Sequence, residues 1–378
     1  MRAMHDGTVR RGVGRCAGGL AARWLRAVVA VALVGGIVPA ASAQSIDRVR
    51  LLDRGEVTGE IASVSPDAVE ITDARSGETK PVPIEMIRDV LIGDEPDVIR
   101  NARGMLQRKD GARALAELEN LTAQDTTGAS DLVLAEVDYV RAAAAAVRAI
   151  ATGTDLDAAV QGLRGFLTKH ARSHHTYEAW ELLGDLLGRS GKFAEAAQAY
   201  ATLEKGPPAY RVRAARAKAA LLFEQGQFAE AGREYEAATK VETRPDDQAS
   251  ARQKRAAELG RARCVGRQGQ TAEALTMIDA VVKVADPEDA DTLAVAYNAL
   301  GDAYRAGGQD QDALIAFLTV DLVYNGLPES HSEALFNLVQ LWEKSGSPER
   351  AREARLALEG SYPDSPWTRK LAGAAKAS

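Results

Sequence analysis

The apolar and polar positions of this chain change period once. From Ser45 to Gly93 apolar residues recur at every second position, with turn residues at short intervals, which predicts strands. Val49 and Leu51 alternate with Arg48 and Arg50, and Asp53-Arg54-Gly55 makes a first turn. Val57, Ile61 and Val64 continue to Ser65-Pro66-Asp67. Val69-Glu70-Ile71 leads to Arg75-Ser76-Gly77, Thr79 to Ile84 follows, and Ile87, Val90, Leu91 and Ile92 close the set. Five short strands over residues 44–94 match the size of a small closed β-barrel. Gly59 is the predicted bend in the second strand, and Pro81 and Pro83 belong on an edge, where a missing N–H breaks no ladder.

Beyond Pro96 the period lengthens to that of helices, and a phrase recurs: a small residue, Ala twelve positions on, a bulky apolar residue four later, another three later. Gly184, Ala196, Tyr200 and Leu203 spell it; Gly301, Ala313, Phe317 and Val320 repeat it with the same offsets. Seven instances align on Ala114, Ala159, Ala196, Ala231, Ala274, Ala313 and Ala351, at intervals of 45, 37, 35, 43, 39 and 38 residues. Such a period predicts stacked helical hairpins that bury their faces against one another over residues 98–375. Gly184 is expected to let its helix approach Ala196. Trp180, Leu183 and Leu187 stripe one helix, Gly191 permits the turn, and Phe193, Tyr200 and Leu203 belong to the next. The first two instances are weakest, and in the seventh Arg355 replaces an apolar residue, as suits a terminal unit. Overall the pattern predicts a mainly α chain, a helical-hairpin solenoid preceded by a five-stranded barrel.

These residues carry two resemblances. The array is similar to the tetratricopeptide repeat family, with helices or loops longer than the 34-residue unit. Its connectors at residues 166–179 and 358–367 resemble those of bacterial cell-envelope members. The strand-rich head resembles SH3-like and Sm-like small barrels, by pattern only. The first resemblance implies a groove, lined by the first helix of each hairpin, that binds protein or peptide partners. Glu181, Asp185, Arg213, Arg216, Asn298, Asp302 and Arg305 are then the candidate partner-binding residues, with solvated surface the plain alternative. The Lys and Asn clamp with which some relatives hold a C-terminal carboxylate is missing.

Residues 1–43 are read as a signal peptide: Arg10, Arg11, Arg15, Arg23 and Arg26, an uncharged run from Ala27 to Ala40, then Ala41-Ser42-Ala43 with cleavage before Gln44. Gly12 to Gly14 follow Arg10-Arg11 where a twin-arginine signal carries a bulky residue, so general secretion is preferred. Cys16 precedes the apolar run, which excludes a lipoprotein site. Periplasm or cell envelope is the expected destination, with secretion the alternative. Setting the leader aside removes six Arg and one Asp and leaves a net charge near −11, which opposes nucleic acid and anionic lipid. Cys264 then stands alone, in a stripe with Ala262 and Val265, and reads as buried packing.

Chemistry is sparse. There is no Gly-rich phosphate loop, nucleophile elbow or specific metal motif, so neither catalysis nor a cofactor is expected. His170, His174 and His175 lie near Glu178 in a connector; they read as ordinary polar residues, with a metal-dependent or ligand-delivery role as the alternative. Asp286 to Asp291 lacks the Gly and distal Glu of a calcium loop and reads as a cap for a helix near Thr292. Self-assembly of the stack is a third possibility.

Overall fold

The computed structural model describes residues 46–377; the proposed leader lies outside the described residues. Five strands come first: β1 (Asp47–Leu51), β2 (Glu56–Val64), β3 (Ala68–Asp73), β4 (Thr79–Pro83) and β5 (Ile87–Leu91), with a 3-10 turn at Ile84–Met86 between the last two. They form one antiparallel sheet in the order β4-β3-β2-β1-β5. Pro81 and Pro83 fall on β4, an edge strand, where the ladder spares them. Gly59 marks a close approach, since a Cβ there would lie 1.9 Å from the Thr72 carbonyl oxygen. The irregularity in β2 lies further on, between Ile61 and Ser63, where one extra residue is accommodated.

Seven helical hairpins follow. They are α1 (Asp97–Gln107) with α2 (Gly111–Leu118), α3 (Asp131–Thr152) with α4 (Leu156–Lys169), and α5 (Thr176–Arg189) with α6 (Phe193–Leu203). Next come α7 (Pro208–Glu224) with α8 (Phe228–Lys240), α9 (Gln248–Arg267) with α10 (Thr271–Val284), α11 (Ala290–Ala306) with α12 (Asp310–Val323), and α13 (Pro328–Lys344) with α14 (Pro348–Ser361). The chain is therefore a TPR-like solenoid behind a small sheet. Its repeat Ala residues are the tightest points: Ala114, Ala196, Ala231, Ala274 and Ala313 are fully buried, with Ala159 and Ala351 nearly so. The turn after each first helix from α5 onward holds a left-handed glycine, such as Gly191 (φ 73°) and Gly308 (φ 75°), which a side chain would strain.

Two packing details differ from expectation. Gly184 admits the ring of Tyr200 rather than Ala196, and Gly301 likewise admits Phe317, because one turn further along the second helix the aromatic ring fills the space a Cβ would take. The seventh hairpin is also not the end of the stack. α15 (Pro366–Ala377) covers α13, with Leu371 buried and the Trp367 ring 5.1 Å from Phe336.

The sheet sits against the starts of first helices. Val133 at the head of α3 is buried with Val49, Val69, Ile71 and Val90, so a helix side chain completes the sheet's core. The Tyr177 hydroxyl of α5 donates to Asp67 in the β2–β3 turn (2.9 Å), and Ile84 packs with Tyr177, Leu203 and Tyr210. At the opposite rim, Arg369 of α15 donates to the carbonyls of Ala151 and Thr152 at the end of α3, and Lys109 meets Glu329 at 2.6 Å. The first hairpins and the last thus touch.

Candidate functional site

A charged network is buried where β5, α1, α3 and the α4–α5 connector meet. Arg103 of α1 donates from Nη1 to the Val90 carbonyl (2.9 Å), pairs with Glu95, and donates from Nε to Glu136 Oε1 (2.7 Å). Glu136 is only 1% exposed, on a helix most of whose faces are covered. Its other oxygen lies 2.9 Å from His175 Nε2, and the opposite ring nitrogen, Nδ1, lies 2.9 Å from Glu178 Oε2. That same oxygen accepts the Tyr139 hydroxyl at 2.8 Å, and the Tyr139 ring stacks flat on His175, 3.6 Å between centroids and 6° between planes.

The two adjacent histidines are driven apart. Burial opposes charge on His175, but Glu136 and Glu178 outweigh it and push the ring up to about 9. Burial and the neighbouring His175 charge bring His174 down to about 3. Burial alone would raise both carboxyls, yet His175 and Arg103 hold Glu136 far below the usual range, and His175 takes Glu178 down to about 2. For Glu95, burial wins over Arg103 and raises it. His174 is 4% exposed, and neither ring nitrogen has a hydrogen-bond partner. Its Nε2 is 3.9 Å from Glu136 Oε2. His170, the third of the trio, stands apart: its Nε2 pairs with Asp138 at 2.8 Å. Beside the network lies a cavity of about 500 Å³ between Ile61 to Val64 of β2, the start of α3 and the connector, with Glu136 and His174 in its wall.

The seven groove candidates lie on α5, α7 and α11, and most are tied from one first helix to the next. Arg213 donates from Nε to Glu181 Oε1 (2.9 Å) and lies over the Tyr210 ring. Asp302 pairs with Arg263 of α9, whose guanidinium also reaches Glu333 of α13 at 2.5 Å. Buried Asn298 donates to the Ser330 carbonyl (2.9 Å), and Arg305 donates to Asn337 and Gln340 (2.7 and 2.8 Å). Asp185 accepts the Tyr200 hydroxyl at 2.5 Å, and Arg216 Nε is buried without a partner. Glu136 to His175 and Tyr139 to Glu178 are rungs of the same kind, from α3 to the start of α5. Successive first helices are therefore joined by a polar ladder whose rungs are about one repeat apart in sequence.

Residues 286–291 cap a helix, as read from sequence: Asp289 accepts from the Thr292 amide and hydroxyl, at 3.2 and 2.8 Å, and α11 begins at Ala290. Cys264 is fully buried, and burial pushes its thiol up to about 11. Glu136, Arg103 and Glu95 were not singled out from sequence. Glu136 alone left a signal, since it follows buried Val133 by three residues and precedes Val140 by four, which puts an acid on an apolar stripe.

No protein-family model matches the sequence, and no curated protein matches it. Among solved structures, a tetratricopeptide repeat protein from Parabacteroides merdae ATCC 43184 is 16% identical. That match covers 70% of this chain and 91% of that one, at a TM-score of 0.48. A Rap protein complexed with Competence and Sporulation Factor is 14% identical, over 71% of this chain and 76% of that one, at 0.49. PilW, described as a widely conserved type IV pilus biogenesis factor, is 16% identical, over 60% and 94%, at 0.39. At these scores the likeness carries no weight of its own; the helical-hairpin architecture rests on this chain's own helix pairs.

Proposed function

We propose that this chain is a non-catalytic scaffold, exported to the periplasm or cell envelope, that holds protein or peptide partners along the inner face of its solenoid. The observation that carries this reading is the polar ladder. Arg213, Asp302 and Arg305 are held in place by neighbouring helices yet keep part of their surface open to solvent, so the groups a partner meets are already fixed and little is lost in ordering them. Export is supported by the three-part pattern of residues 1–43. Among the described residues no helix is long and apolar enough to cross a membrane. The sheet's order, with a 3-10 turn before a fifth strand that returns to β1, supports the SH3-like or Sm-like reading of the head.

A photo-crosslinking amino acid at Asp185 or Arg305, on the inner face, should capture a discrete protein species in the native host. The same group at exposed Thr276 or Glu353 on the second helices should not. Equal capture at all four positions, or none, would overturn the assignment of the surface. Fusing residues 1–43 to a reporter active only outside the cytoplasm tests export by itself, and a silent reporter would remove that half of the proposal.

A further inference from the structure

The donor atoms of Glu136, His174 and His175 lie within 4.8 Å of one another, and Glu136 and His174 line the cavity beside β2. We propose that these three side chains form a binding site for a divalent transition-metal ion, with zinc the best-matched species and the remaining coordination position facing that cavity.

Three observations converge on the site. Its donor set, two imidazoles and a carboxylate, suits zinc, and bonds of about 2.0–2.2 Å would place tetrahedral ligand atoms about 3.3–3.5 Å apart. The 2.9 Å between Glu136 Oε2 and His175 Nε2 then widens by a few tenths of an ångström, and the 3.9 Å to His174 Nε2 shortens by about as much. His174 supplies the second observation. A buried imidazole with both nitrogens unpartnered is costly, and coordination through Nε2 satisfies the atom that lies nearest Glu136.

The supporting contacts are the third. Ligating histidines ordinarily donate their other N–H to a carboxylate, as His175 Nδ1 does to Glu178, while Tyr139 fixes both that carboxylate and the ring plane. Arg103 holds Glu136 through Oε1 and leaves Oε2 for the ion. On binding, His175 Nε2 releases to solvent the proton it shares with Glu136, and Nδ1–H stays on Glu178. The cavity then leaves room for water or a small anionic ligand at the open position.

The test uses the full chain, purified without a histidine tag, stripped with chelator and titrated with zinc chloride by calorimetry, with cobalt(II) as the spectroscopic probe. One ion per chain is expected, with a rise in Tm and visible cobalt bands of four- or five-coordinate intensity. His174→Ala, which leaves the Glu136–His175–Glu178 chain intact, should abolish binding, as should Glu136→Gln. Glu178→Gln should weaken it by about 10–100-fold, and His170→Ala should leave it unchanged. Binding of less than one ion per chain, a cobalt spectrum of a purely six-coordinate aqueous type, or a His174→Ala variant that binds like the parent would overturn the site. So would loss of binding in His170→Ala equal to that in His174→Ala. The parent cobalt spectrum decides the matter even if a variant fails to fold.

Discussion

The Cα of Gly184 lies against the Tyr200 ring so closely that a Cβ would come within 2.4 Å of it. The ring has little freedom to move aside, because its hydroxyl is anchored on Asp185 at 2.5 Å. Gly184→Ala should therefore destabilise the hairpin by about 1–3 kcal/mol through overpacking. Adding Tyr200→Leu should recover part of the loss. Urea unfolding of the single and double variants measures both, and a neutral Gly184→Ala would mean that the aromatic ring is not the obstacle.

Arg103 answers two buried carboxylates and a strand carbonyl. Its replacement by Met keeps the apolar stem but leaves buried Glu95 with only the 3.4 Å contact to Arg100, and Glu136 with the two histidines. Breaking a buried pair from one side costs about 3–5 kcal/mol, so a large fall in the urea midpoint is expected. Glu95→Gln in the Arg103→Met background should restore part of it, because a neutral amide no longer needs the missing charge.

Asp185 keeps access to solvent, yet the protein packed around its carboxyl, reinforced by Glu181, raises it to about 6 against the pull of Tyr200, Arg216 and Arg213. With the folded-state value above the ordinary 3.8, the native state binds this proton more tightly than the unfolded chain does. Its contribution to stability should grow as pH falls from about 7 to about 4. The urea midpoint of the parent should rise relative to Asp185→Asn over that window, and carboxyl-carbon NMR should place the titration near 6. A midpoint near 4 would mean that its neighbours do not shift this carboxyl.

The sheet borrows Val133 from α3 for its core and Arg103 from α1 for the Val90 carbonyl. Residues 44–94 expressed alone should therefore show neither slow amide exchange nor a cooperative thermal transition. The same residues within the full chain should show both. Val133→Ala in the full chain should loosen the sheet more than the later hairpins, which hydrogen exchange resolves residue by residue.

Much of this architecture is legible because it is local. The turn glycines, the repeat Ala residues and the Pro-started helices each declare themselves within a few positions, and the strand alternation on β1 and β3 survives because one face is covered. The charged network is legible hardly at all, since Glu136 finds Arg103 thirty-three residues earlier and His175 thirty-nine later. A sequence window contains an isolated acid on an Ala-rich helix and no hint of its partners. The seven groove candidates lie on first helices, but their mutual ties depend on how far successive first helices rotate. Spacing alone does not encode that rotation. His170 shows the converse error of proximity: adjacent in sequence to a cluster, it turns to Asp138 instead.

The contact of Arg369 with the end of α3 bears on how this chain meets copies of itself. Open stacks of hairpins offer two sticky termini, and fibres grow when one terminus accepts another. Here Arg369 and the Lys109–Glu329 pair tie the last helices to the first, so head-to-tail addition of a second copy would compete with contacts made within one chain.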